Sequence, residues 1–101
     1  MRFPDTNVLI YSVNTDSAQH ETAKRWLIEA FDEVGGIGLS WNTLLGFIRI
    51  TTHPAILGRP LRVEQALQTI QVWLTHPSAQ ILTPLDGHAA LLDWLGAPQV
   101  S

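Results

Sequence analysis

The sequence contains no cysteine, and only 15% of its 101 residues are charged. Without thiols there is neither a disulfide framework nor a thiolate metal site, a pattern at home in a reducing interior. Long apolar runs are also missing: none approaches the roughly 20 residues that cross a bilayer. The opening stretch MRFPDTNVLIYSVN is interrupted by Pro4, Asp5 and Asn7 and is followed by no small-residue cleavage site, so it does not read as a signal peptide. Basic charge is scarce. Six Lys and Arg stand against nine Asp and Glu, a formal net charge of −3, which argues against a strongly basic nucleic-acid module.

What the chain does have is apolar content, 46%, enough for one small globular domain with a modest core and far too much for disorder. Residues 1–4 read as a short strand that must stop at Pro4, which has no N–H to give a ladder. Thr6–Val13 follows as a short helix that Asp5 or Thr6 can cap. From Ala18 a helical period carries Ala23, Trp26, Leu27, Ala30, Phe31 and Val34, with Asp16 or Ser17 as the expected cap and Gly35–Gly36 as the stop. IGLS (37–40), framed by glycine, predicts a buried strand, and WNTLLGFIRITT predicts a third helix, apolar at Leu44, Leu45, Phe47 and Ile48. After the turn-rich HPAILGRP, a fourth helix bears Val63, Ala66, Leu67, Ile70, Trp73 and Leu74 and ends at His76–Pro77. AQILTP predicts a third strand, and Leu91, Leu92 and Leu95 a last helix stopped by Gly96. No linker or repeat divides residues 1–101, which read as a single domain. Strands alternating with helices predict an α/β fold, a parallel three-stranded sheet flanked by helices.

Ligands in such folds bind beyond the carboxyl ends of the strands, and that is where Asp5 falls. A plain helix cap explains the same residue, and the two roles are compatible. Arg49, His53, Arg59 and Arg62 form a stretch with no acid among them, either a solvated loop or a small phosphate-facing patch. The four histidines share no i, i+4 face, so a pair positioned for metal-free acid–base cleavage is not indicated. Ser40 has no Gly-x-Ser-x-Gly elbow around it. Trp26 and Trp73 fall on apolar helix stripes and read as core rather than as a base-stacking platform.

Taken together, FPDTNVLIYSVN, HETAKRWL, GLSWNTLLGFIRITTHP, RPLRVEQALQTIQVWL and ILTPLDGH resemble, in order, the segments of PIN domains, and specifically the VapC-type toxin ribonucleases of bacterial toxin–antitoxin pairs. The resemblance implies an endoribonuclease dependent on Mg²⁺ or Mn²⁺, acting in the bacterial cytoplasm on RNA and held in check by a cognate antitoxin protein. Family members often form homodimers. Asp5 matches the family's first metal-binding, catalytic acid, and Thr6 and Asn7 match positions that orient it. Arg49 matches the arginine of the third helix, a candidate contact for RNA phosphate. Mg²⁺ suits such a site, since it favours hard oxygen ligands and keeps several waters.

The chain departs from the pattern in two places. The family's second acid, a Glu shortly before the arginine, falls where Gly46 and Phe47 stand. The later acids, in a D-A-x-L-A helix and beyond, have no counterpart before GAPQVS, which implies a domain incomplete relative to the usual five-stranded PIN fold. Asp86 is a poor substitute: with the strand order 3-2-1 that the family implies, it lies two strands from Asp5, roughly 10 Å at about 4.8 Å per strand. Two functions are therefore expected, from different classes. One is a metal-dependent ribonuclease toxin. The alternative is a C-terminally truncated, inactive PIN remnant that retains only antitoxin or other protein binding.

Overall fold

The computed structural model describes residues 1–82. Their order is α1 (Thr6–Val13), α2 (His20–Asp32), β1 (Ile37–Ser40), α3 (Trp41–Thr51), α4 (Val63–Leu74) and β2 (Ala79–Leu82). β1 and β2 pair in parallel, with Ile37 opposite Ala79 and Ser40 opposite Leu82. The expected helix carrying Leu91, Leu92 and Leu95 lies outside the described residues, as do Asp86 and the last two residues of AQILTP.

The sheet of the described residues has two strands, not the expected three. The amino-terminal segment contributes a single parallel bridge, Arg2 to Ile37, made by Arg2 N–H to Gly36 O and Gly38 N–H to Arg2 O, both 2.9 Å. The next ladder bond on that side would need an N–H from residue 4, and Pro4 has none. Ile37 is thus flanked by Arg2 on one side and Ala79 on the other, so the segments keep the expected spatial order even though one has shrunk to a bridge. Arg2 also ties the segment to the end of α2: its Nη2 lies 2.8 Å from Glu33 Oε1, and its guanidinium sits 5.5 Å from the Trp26 ring.

The core gathers Leu9, Leu27, Ile37, Leu39, Leu44, Phe47, Ala66 and Ile70, with the Phe47 ring edge-on to Trp73 at 5.0 Å. α3 is capped by Ser40, whose Oγ accepts from Thr43 N–H at 3.1 Å. Gln65 Oε1 accepts from Arg62 N–H at 2.9 Å at the start of α4.

Three local expectations are revised. α2 begins at His20, and neither Asp16 nor Ser17 caps it; the N-cap is Gln19, without a side-chain cap. Ser17 Oγ instead closes a turn by accepting from Gln19 N–H at 3.1 Å, and Asp16 faces Arg59 at 3.6 Å. α2 also stops at Asp32, because Glu33 is extended (φ −70°, ψ 148°), which turns Val34 out to solvent rather than into the core. Leu45 and Leu67 sit on the predicted stripes but are 59% and 50% exposed, since no described element covers that flank of α3 or α4.

Candidate active site

Pro4 is buried and ends the amino-terminal bridge segment, so the chain leaves the sheet at Asp5 and turns into α1. Asp5 is the N-cap, with extended backbone (φ −80°, ψ 171°), and its Oδ1 accepts from Val8 N–H at 2.8 Å. One amide orphaned by the helix start is satisfied in this way, and an exposed carboxylate is held at the positive end of the helix. The cap role of Asp5 is thus observed directly, and it leaves the carboxylate exposed.

Thr6, half-buried, lies against Gly46 of α3, and Asn7 is exposed on the same turn. Among the described residues the hydrogen bond that orients Asp5 comes from the Val8 main chain, a group the sequence reading left unnamed. The N-cap pattern already contained it: a cap carboxylate accepts from the amide two or three residues on. Arg49 is exposed on α3, three residues beyond Gly46 and so on an adjacent face of the helix, and it makes no ion pair among the described residues.

The structure also separates the two positions where the resemblance puts a second acid. Phe47 is fully buried and packs on Trp73, so a carboxylate there would enter the core. Gly46 faces Thr6, beside Asp5.

Several other charged and histidine side chains are engaged elsewhere. Glu33 holds Arg2, and Asp16 holds Arg59, so the basic stretch that is free of acid in sequence meets an acid in space. His20 Nδ1 donates to Tyr11 O at 2.9 Å, while the Nδ1 atoms of His53 and His76 accept from Ala55 and Ser78 N–H. Each of these histidines thus serves a local turn or helix end. Among the described residues no three His, Cys, Asp or Glu side chains gather as a metal site. A lone carboxylate offsets little of a divalent cation's hydration, so residues 1–82 do not fit such an ion by themselves.

No family model matches the chain. It is, however, 39% identical over 92 residues to Ribonuclease VapC37 of Mycobacterium tuberculosis, covering 91% of this chain and 64% of that protein. To Ribonuclease VapC33 of the same organism it is 37% identical over 100 residues, 95% of this chain and 70% of the relative. To Ribonuclease VapC48 it is 30% identical over 83 residues, 82% and 57%. The chain thus spans roughly two-thirds of the length of the first two relatives. An α/β chain of this pattern with these relatives is a PIN-domain protein. More narrowly, it belongs to the VapC family of toxin ribonucleases.

Among the described residues no helix is long and apolar enough to cross a membrane.

Proposed function

We propose that this chain acts as the toxin component of a type II toxin–antitoxin pair, an Mg²⁺-dependent endoribonuclease that hydrolyses RNA phosphodiester bonds in the bacterial cytoplasm; Mn²⁺ would suit the same ligands. The single observation that carries the reading is the placement of Asp5, an exposed carboxylate capping α1 where the chain leaves the sheet, in a chain related to named ribonucleases. Asp5 supplies one hard oxygen ligand, and Thr6 and Asn7 shape its surroundings. Arg49 meets an RNA phosphate. Because residues 1–82 gather no cluster of three ligating side chains, the ligands that complete the ion's shell are to be sought outside them, and no catalytic step is assigned to these residues alone.

The test is cleavage of structured RNA by the full chain in Mg²⁺, with and without EDTA, beside Asp5→Ala. The expected result is cleavage that EDTA and the substitution both abolish. Cleavage indifferent to either would overturn the metal role.

One observation supports a second reading. No three acidic or histidine side chains gather around Asp5 among the described residues, while the groove between α1 and α2, lined by Val8, Tyr11, Gln19, Thr22, Ala23 and Trp26, exposes a mainly apolar surface of the kind that can take an apolar helix face. A remnant that only binds its antitoxin would leave RNA intact under every condition yet still be captured by that antitoxin. Asp5-dependent cleavage by the chain rejects it.

A further inference from the structure

Gly46 lies inside α3, where glycine is the poorest helix former short of proline. It is buried and its φ is not positive, so no turn demands it. The reason for it lies across the contact with α1. A Cβ on residue 46 would come within 3.2 Å of Thr6 Oγ1 and 3.3 Å of Thr6 Cγ2, closer than ordinary packing allows. Thr6 cannot swing clear. Its two γ atoms fill two of the three staggered positions, both toward residue 46, and any other staggered rotamer keeps one of them filled. An atom added at residue 46 therefore requires Thr6 to give by a few tenths of an ångström. Thr6 opens α1 and follows Asp5 directly, and Asp5 Oδ1 is held only 2.8 Å from Val8 N in that same turn.

We infer that Gly46 is a positioning residue for Asp5: its missing side chain lets α3 seat the first turn of α1 through Thr6, and the seating sets the direction of the carboxylate. Its part in catalysis rests on Asp5 being the metal-binding acid; the geometric coupling does not.

Amide hydrogen exchange followed by NMR on the full chain, without RNA or metal, tests the coupling. The readout is the exchange rate of Val8 N–H relative to Leu27 N–H in α2, for wild type, Gly46→Ala, Thr6→Ser and the double variant. Serine carries one γ atom, which can take the staggered position facing away from residue 46. Gly46→Ala is expected to raise the ratio about fivefold, the factor that corresponds to losing ~1 kcal/mol. Thr6→Ser alone should leave it unchanged, and the double variant should return it to wild type. An unchanged ratio in Gly46→Ala, or a double variant that exchanges as fast as Gly46→Ala, overturns the inference. Should Gly46→Ala not fold, the double variant decides: a folded protein with the wild-type ratio supports the coupling, and an unfolded one refutes it. Failure of Asp5-dependent cleavage would be a separate failure, because the ratio is read with no substrate present.

Discussion

Asp5 serves two roles that a pair of substitutions can pull apart. Asparagine caps a helix about as well as aspartate, so Asp5→Asn keeps an oxygen for Val8 N–H and loses only the charge at the helix start. That charge is exposed, and its interaction with the helix end contributes about 0.3–0.5 kcal/mol at low salt. Asp5→Ala removes the cap itself, at about 1 kcal/mol. For a domain of this size 1 kcal/mol shifts Tm by about 4–8 °C, so alanine should lower Tm by about 4–8 °C and asparagine by about half as much or less. Cleavage should separate differently. A neutral amide oxygen is a poorer partner for a divalent cation than a carboxylate, so both variants should lose RNA cleavage alike. Thermal unfolding by circular dichroism and a gel assay with labelled RNA in Mg²⁺ read the two quantities on the same samples. Asp5→Asn that cleaves like wild type would refute the metal-ligand role. Asp5→Ala as stable as wild type would refute the cap.

Other expectations follow from the packing. Phe47→Ala should cost about 3–5 kcal/mol in urea denaturation, since it empties a fully buried site against Trp73. Gly36→Ala should destabilise by at least about 1 kcal/mol, because φ is +71° and a Cβ would run into the Ser78 carbonyl; a neutral result would mean that the turn before β1 can rearrange. Ser40→Ala should cost about 1 kcal/mol through loss of the α3 cap, and Ser40→Asp should recover most of it in the same melt.

Much of the local structure is legible in the sequence. The bounds of α1, β1 and α4 follow from apolar period, cap residues and the stops at Pro4 and His76–Pro77. Elsewhere tertiary context overrides local preference. Asp16 and Ser17 are both good caps by type, but a partner in another loop and a preceding turn claimed them. Leu45 and Leu67 share a stripe with buried residues, yet the stripe is wider than the element it packs on.

The order α1, α2, β1, α3, α4, β2, the cap position of Asp5 and membership in a ribonuclease family were legible in the sequence, because these rest on interactions among residues a few places apart or on ordered motifs. It is the tertiary structure that reduces the amino-terminal segment to a single bridge, puts Phe47 in the core and lays Gly46 against Thr6. Neighbouring helix positions point about 100° apart, and which of them meets another helix depends on how α3 lies across α1. That crossing is set by packing between segments remote in sequence, and local propensity carries no record of it.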